Sequence, residues 1–182
     1  MIFLHCYTCG ADQAIALASK GPVHSARANV MAQTLRALGT CPTLIGPKTE
    51  TNMAIKRITF PGHDGGTLDA RLDLPDGPHL ATALFAHCFT CGKDIPAARR
   101  ISARLAGMGI AVLRFDFTGL GHSEGEFSNT SFTSNVDDLF AACRYLDAEG
   151  MPPALLIGHS LGGAAVLKAA SEMEQIKGVV TI

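Results

Sequence analysis

Four short apolar runs, separated by segments with helical patterns, constrain the fold of this chain more than any other feature. The runs are LATALFAHCF (80–89), GIAVLRFDF (109–117), ALLIG (154–158) and GVVTI (178–182). Continuous apolar runs of this length are typical of strands that are covered on both faces of a sheet. Because helical patterns lie between them, the order predicts an α/β fold with a parallel sheet and right-handed crossovers.

The helices between these runs have recognisable start and stop signals. Asp94 is the predicted N-cap of the first helix, and Gly109 follows its end. Ser134 is the predicted N-cap of the second helix, which Gly150 closes. A third helix, rich in small residues, is predicted to begin at Ser160.

A β-hairpin is predicted before the first buried run. Ile55, Ile58 and Phe60 lead into the turn PGHDGG. After the turn, apolar residues alternate with charged ones, as Leu68, Asp69, Ala70, Arg71, Leu72 and Asp73. This alternation is typical of a half-buried strand, so the charged residues are expected on the solvent side. Further on, Lys93, Arg99 and Arg100 are interpreted as a solvated helix face.

Charge and composition exclude several classes of partner. The formal net charge is -1, and the Lys and Arg residues are scattered, so no basic face for nucleic acid or an anionic membrane is predicted. No apolar stretch reaches the roughly 18 residues of a membrane span, and the N-terminus lacks the basic region of a secretion signal. We therefore expect a cytoplasmic protein with a small-molecule partner and with its six cysteines reduced.

The domain organisation follows from where the regular pattern begins. A chain of 182 residues, 47% hydrophobic, can bury one core or supply most of a larger one. Residues 1–52 fit the strand and helix alternation poorly and end in a polar, turn-rich stretch. We interpret them as an irregular extension or remnant with a linker, and residues 53–182 as the main domain.

The pentapeptide GHSLG (158–162) provides the candidate nucleophile, because it lies directly between a buried strand and a helix. Such a tight turn places a serine hydroxyl over the carboxyl edge of the sheet, where the helix N-terminus supports negative charge. Ser160 is therefore the predicted nucleophile, and Gly158 and Gly162 are predicted to remove side chains that would collide. An ordinary N-cap serine in a glycine-rich turn remains the alternative interpretation.

A nucleophile of this kind needs backbone N–H groups that stabilise an oxyanion. The amide of the residue after the nucleophile, Leu161, is one predicted donor. The loop HCFTCG (87–92) follows the first buried strand, and its Phe89 amide is the predicted second donor.

This loop has a near copy at residues 5–10, HCYTCG, which leaves other chemistries open. Two CxxC pairs, each after a histidine, could form a zinc site or redox dithiols. The pairs are far apart in sequence for a compact zinc ribbon, and the second pair leaves a strand in a place that catalysis already explains. We assign no function to the first copy.

Three blocks, ALFAHCFTCGKD, AVLRFDFTGLGHSEGEFSN and LLIGHSLGG, resemble the α/β-hydrolase superfamily. They are most similar to the hydrolase half of bifunctional proteins that carry an OsmC-like domain, which this chain lacks. The resemblance runs from about Ala54 to Ile182. It implies a mostly parallel sheet with helices on both faces and hydrolysis of an ester or related acyl substrate through a serine acyl-enzyme, as in serine aminopeptidase-like hydrolases. It implies no metal or organic cofactor.

In that superfamily the catalytic acid and histidine follow the nucleophile along the chain. No histidine follows His159, so both groups are expected outside this sequence, and residues 53–182 are expected to be the N-terminal part of the domain. We therefore expect little turnover by this chain alone, and a non-catalytic remnant or binding protein is the alternative. The apolar edge of the strand at 178–182 is expected to be exposed and prone to aggregation.

Overall fold

The computed structural model describes the backbone of residues 2–4, 15–18 and 54–182, and the side chains of residues 54–182. No helix in this part of the chain is long and apolar enough to cross a membrane. In chain order the elements are β1 Ile2–Leu4, β2 Ile15–Ala18, β3 Ile55–Pro61, β4 Thr67–Asp73, β5 Ala81–Ala86, α1 Pro96–Ala106, β6 Ile110–Phe115, a 3-10 turn Phe127–Asn129, α2 Phe132–Ala148, β7 Pro153–Gly158, α3 Leu161–Glu172 and β8 Gly178–Thr181.

The described strands form one sheet in the order β1-β2-β8-β7-β5-β6-β4-β3. The four central strands, β6, β5, β7 and β8, are parallel neighbours, whereas the pairs at both flanks are antiparallel. Each of the four predicted apolar runs contributes one of the central strands. The predicted α/β fold class is therefore confirmed.

The core lies on both faces of the central strands, which explains why their sequences are almost continuously apolar. On β5, Leu84 and Ala86 belong to the cluster that includes the apolar residues of α2 and α3. Ala83 and Phe85 point to the opposite face, where they pack with Ala98 of α1. Helices thus cover both faces of the sheet, as predicted.

The hairpin of β3 and β4 is present, but the prediction that β4 is half buried was wrong. Asp69 is 2% exposed and Asp73 is 1% exposed. The reason is that β4 lies between β3 and β6 and its charged face is covered by basic side chains. Arg57 Nε donates to Asp69 at 2.9 Å, and Arg114 Nε donates to Asp73 at 2.7 Å.

Two helices begin at residues other than the predicted caps. Helix α1 begins at Pro96 without a side-chain cap, because Asp94 instead accepts a hydrogen bond from Arg114 Nη1 at 2.5 Å. In α2 the N-cap is Ser131, and Ser134 is the reciprocal partner of a capping box. The Ser134 amide donates to Ser131 Oγ at 3.2 Å, and the Ser131 amide donates to Ser134 Oγ at 2.8 Å.

The outer edge of β8 is paired, so the expectation of an exposed apolar edge was wrong. Strand β2 is antiparallel to β8, with Leu17 opposite Val180, and β1 pairs in turn with β2. Parts of residues 1–52 therefore extend the sheet, although the domain boundary at residue 52 stays a prediction. The HCYTCG copy lies outside the described residues.

The central position of β7 generates a stability prediction. Leu156 of β7 is fully buried, whereas Leu167 of α3 is 48% exposed. We expect Leu156→Ala to lower the free energy of unfolding by about 2–5 kcal/mol, because it removes buried methyl groups and leaves a cavity. The matched change Leu167→Ala should cost less than about 0.5 kcal/mol. Urea denaturation followed by circular dichroism measures both, and equal losses would contradict this placement of the core.

Candidate active site

Two loops leave the sheet side by side because β5 and β7 are parallel neighbours. Ala86 at the end of β5 is in register with Gly158 at the end of β7. The amide of His159 donates to the carbonyl of Ala86 at 2.9 Å, which holds the two strand ends together. The carboxyl ends of parallel strands are a common position for functional residues in open α/β sheets.

Ser160 occupies a strained backbone position between β7 and α3. Its φ is 55° and its ψ is -121°, and it is the single non-glycine residue with positive φ in the described part of the chain. Its backbone is held by hydrogen bonds, since its amide donates to Ile182 and its carbonyl accepts from Gly163, both at 2.8 Å. Ser160 is exposed, and its hydroxyl makes no hydrogen bond to residues 54–182. Strain of this kind is concentrated at functional sites.

The glycines on either side of Ser160 permit a close approach of helix and strands. A Cβ at Gly162 would lie 2.5 Å from the carbonyl oxygen of Ala86. A Cβ at Gly158 would collide with the Gly162 carbonyl. Because both obstacles are backbone atoms, any side chain would force α3 away from the strands.

The two predicted oxyanion donors lie on the loops that these strand ends bring together. Leu161 is the first residue of α3, where amides have no partner within the helix. Phe89 lies three residues after the end of β5, with its ring packed on Phe117 and Phe127. Neither amide donates to another group within residues 54–182. Both amides are therefore without a hydrogen-bond acceptor in this part of the chain, and their role as oxyanion donors stays a prediction.

The HCFTCG loop is closed on itself. The Cys91 amide donates to the Cys88 carbonyl at 3.0 Å, and His87 Nδ1 donates to the same carbonyl at 2.6 Å. Cys88 and Cys91 form a disulfide, so the expectation of six reduced cysteines was wrong for this pair. The turn places their Cα atoms 5.3 Å apart, within the usual range for a disulfide. A ring nitrogen of His159 lies within 4.8 Å of both sulfurs.

A buried ion cluster anchors this loop to the sheet. Lys93, directly after the loop, is 1% exposed, so its interpretation as a solvated residue was wrong. Its Nζ lies 2.5 Å from Asp116 Oδ2 and 2.6 Å from Asp69 Oδ2. Its backbone is also held, because the amide donates to Asp116 Oδ1 at 2.7 Å and the carbonyl accepts from Arg114 Nη1 at 2.9 Å. A buried ammonium needs such compensation.

The same contacts lower the pKa values of both carboxyls. Burial by itself would raise the pKa of Asp116, but the adjacent His87 ring and hydrogen bonds from Lys93 and the His122 amide outweigh it and hold the pKa well below its ordinary value. Burial by itself would likewise raise the pKa of Asp69. The contacts of this carboxyl with Lys93 and Arg57 outweigh burial and lower the pKa. Both groups are therefore ionised in the folded protein.

Sequence reasoning missed Lys93 as an anchor and His159 as a neighbour of the cysteines. A lysine directly after an apolar strand and a tight loop has the sequence signature of an exposed residue. The buried Asp69 and Asp116 that hold it are distant in sequence. His159 was recognised only as part of the turn around Ser160.

The strain at Ser160 can be measured by two substitutions. We expect Ser160→Gly to raise the free energy of unfolding by about 1 kcal/mol, because glycine relieves about 1–3 kcal/mol of strain and loses part of this gain to unfolded-state entropy. Ser160→Ala keeps the Cβ and should leave stability almost unchanged. Thermal and urea denaturation provide the measurement, and equal stability of the two variants would contradict a strained turn.

The low pKa values of Asp69 and Asp116 predict a loss of stability in acid. Since their folded-state pKa values lie below the unfolded value of about 3.9, their contribution is complete above that pH and is lost as the pH falls below it. We expect Asp116→Asn to reduce the slope of unfolding free energy between about pH 5 and pH 3. Asp76→Asn, in an exposed turn, is the matched control. An unchanged slope in Asp116→Asn would contradict the prediction.

Solved structures similar to this chain include an esterase domain and an α/β serine hydrolase. The esterase domain of a Rhodothermus marinus protein is 56% identical, with a TM-score of 0.56 over 69% of this chain and 48% of that chain. An α/β serine hydrolase without a lid from Xanthomonas campestris is 30% identical, with a TM-score of 0.59 over 68% and 58% of the two chains. Est1E from Butyrivibrio proteoclasticus, with ferulic acid bound, is 27% identical, with a TM-score of 0.61 over 65% and 49%.

The chain spans about half the length of these structures. No curated protein matches it. The family model described as serine aminopeptidase S33 (Hydrolase_4) matches residues 91–182, just over half of the chain, including the loop after Cys91, Ser160 and helix α3. The chain therefore belongs to the serine aminopeptidase S33 family of α/β hydrolases.

Proposed function

We propose that this chain carries the nucleophile and the oxyanion hole of a serine hydrolase. The observation that carries the proposal is the backbone of Ser160, with φ 55° and ψ -121° at a strand-to-helix turn. A turn that only joined β7 to α3 would accommodate glycine at position 160 without strain, so the fold alone does not explain a serine there, with an exposed hydroxyl that has no partner in residues 54–182. A reaction that requires an accessible nucleophile explains why a serine occupies this strained position.

The geometry supports acyl transfer in two steps. Ser160 Oγ attacks the acyl carbon as its proton passes to the catalytic base, and the carbonyl electrons move to the oxygen, where the amides of Phe89 and Leu161 donate to the developing charge. The N-terminus of α3 adds a favourable electrostatic potential. The leaving group then takes the proton from the base and departs, which forms the acyl-enzyme; water gives a proton to the base and attacks the acyl carbon, and the acid leaves as Ser160 Oγ regains a proton. No metal or organic cofactor takes part in these steps.

We propose an ester, or a related acyl compound, as the substrate class. The similar structures from Rhodothermus marinus and Butyrivibrio proteoclasticus are an esterase domain and a protein with ferulic acid bound. A small neutral or weakly charged acyl compound also agrees with the scattered charges of the chain, which provide no surface for nucleic acid or membrane. The proposed location is the cytoplasm. An OsmC-like partner domain rests on family analogy alone.

The catalytic base is proposed to lie outside these residues. His63 Nδ1 is 2.8 Å from Asp138, His79 Nε2 is 2.9 Å from Thr82, and His87 Nδ1 is engaged by a backbone carbonyl. Within residues 54–182, no histidine is hydrogen-bonded to Ser160. Without a base the serine hydroxyl keeps its proton, so turnover by these residues alone is expected to be low. This lack favours a non-catalytic remnant or binding protein as the second candidate function.

Hydrolysis of p-nitrophenyl acetate tests the nucleophile. We expect the 182-residue chain to reach at most about 10³–10⁴ over the rate in water, the level that an oxyanion hole and binding provide without a triad. Ser160→Ala should abolish labelling of the chain by a fluorophosphonate probe, whereas Ser171→Ala, at an exposed position on α3, should leave both the labelling and the rate unchanged.

Two outcomes would overturn different parts of this proposal. A fluorophosphonate label that persists in Ser160→Ala, or that maps to another residue, would refute the assignment of Ser160 as the nucleophile. A rate typical of a complete enzyme that is lost in Ser160→Ala would refute the proposed absence of a base. Labelling with a fluorophosphonate probe, followed by peptide mass mapping, would separately identify the reactive serine.

A further inference from the structure

Three metal-ligating side chains meet beside Ser160 and have no part in the proposed hydrolysis. Cys88 and Cys91 come from the loop after β5, and His159 comes from the end of β7. Their sulfurs and a ring nitrogen of His159 all lie within 4.8 Å of one another. Ligands of one tetrahedral zinc ion, with bonds of about 2.0–2.3 Å, are separated by about 3.5–4 Å, so small side-chain adjustments would bring these atoms onto one cation.

We propose that, when its disulfide is reduced, this chain binds a thiophilic divalent cation such as Zn²⁺ through Cys88 Sγ, Cys91 Sγ and the imidazole of His159. The C-x-x-C spacing is typical of chelating thiolate pairs. Two thiolates and one imidazole form a soft donor set that selects zinc over magnesium or calcium. Because Ala86 is in register with Gly158, the next residue, His159, lies beside the cysteine pair. His159 is therefore available as the third ligand, although it is remote from the pair in sequence.

The burial and charge of the cluster agree with a bound dication. Cys88 is 8% exposed, and His159 Nδ1 is buried without a hydrogen-bond partner in the described part of the chain. An unpaired buried ring nitrogen is unfavourable, and a metal bond would satisfy it. Two thiolates, one neutral imidazole and one dication have zero net charge, so the occupied site avoids a buried excess charge.

A single hydroxyl lies close to both sulfurs. Thr90 Oγ1 lies 3.7 Å from Cys88 Sγ and 4.0 Å from Cys91 Sγ, so its hydroxyl can donate to a sulfur ligand. Cys91 is partly exposed, which leaves a path from solvent to the site. With three protein ligands, a fourth coordination position remains for water or an external ligand.

Other groups of ligating side chains in residues 54–182 are weaker candidates. Asp69, Asp116 and His122 also cluster, but the Lys93 ammonium already lies between the two carboxylates and compensates their charge. Cys143 is fully buried, and burial raises its thiol pKa to about 12, so it stays protonated. The dithiol and His159 are therefore the preferred site.

Formation of the site requires a defined reductant. A trialkylphosphine and one water molecule convert the disulfide to two thiols and the phosphine oxide, with the phosphine supplying the electron pair. Zn²⁺ then replaces the two thiol protons, which are released to solvent. Oxidised chain, in which both sulfurs are bonded to each other, should not bind the cation.

The test uses a reference variant in which the other CxxC pair is removed, Cys6→Ser with Cys9→Ser. The phosphine-reduced reference is loaded with ZnSO₄ without oxygen, freed of excess metal and analysed for zinc by mass spectrometry. We expect about one zinc per chain from the three-ligand site. Adding Cys88→Ser with Cys91→Ser should abolish binding, and adding Cys143→Ser should not change it.

A second measurement addresses His159. Titration of the reduced reference with Co²⁺ should produce thiolate-to-metal charge-transfer absorption. Addition of Zn²⁺ should displace the bound Co²⁺ and abolish this absorption. We expect His159→Gln to weaken Zn²⁺ binding at least about tenfold, since the loss of even an outer-shell partner has effects of this size. Circular dichroism confirms that each variant is folded.

Several results would overturn the proposal, and none depends on hydrolysis. The absence of zinc from the reduced reference would refute it, as would zinc retained after Cys88→Ser with Cys91→Ser. Unchanged affinity in a folded His159→Gln variant would refute the third ligand. Equal zinc binding by oxidised and reduced chains would refute the role of the thiolates.

Discussion

The close approach of α3 to the ends of β5 and β7 is the constraint on which the candidate site depends. Gly162 lies so close to the Ala86 carbonyl that a Cβ at this position would collide with the carbonyl oxygen. A Cβ at Gly158 would likewise collide with the Gly162 carbonyl. This contact forces the chain to turn between β7 and α3 within two residues, which places Ser160 in a strained conformation. The strain of about 1–3 kcal/mol persists because hydrogen bonds to Ile182 and Gly163 fix the backbone on both sides.

A second constraint positions the loop opposite Ser160. Lys93 is buried between Asp69 and Asp116, and it joins the HCFTCG loop to β4 and to the end of β6. Burying three charges is unfavourable in itself, so the cluster adds less to stability than its short distances suggest. Its effect is geometric. Removing one member would leave an uncompensated buried charge, so the cluster fixes the position of Lys93 at the end of the loop that carries the Phe89 amide.

The same edge of the sheet thus presents two kinds of chemistry. In our two proposals, Ser160 and the two amides form a site for acyl transfer, whereas Cys88, Cys91 and His159, whose ligand atoms lie within 4.8 Å of one another, form a donor set for a soft cation. Both depend on the register of β5 with β7, because each site takes groups from both strand ends. The two sites use different atoms, and adjacent residues in the turn, His159 and Ser160, serve one each.

The sequence by itself determined the α/β class, the four central strands and the turn around Ser160, because hydrophobic periodicity and glycine spacing are local properties. It did not determine the burial of Asp69 and Lys93, or the meeting of His159 with the cysteines. Those features depend on which strands become neighbours and in what register. A sequence pattern predicts that a polar residue is exposed unless its partner, which is distant along the chain, is known. The pairing of β8 with β2 is of the same kind. Only the tertiary structure decided them, since each arises from contacts between residues far apart along the chain.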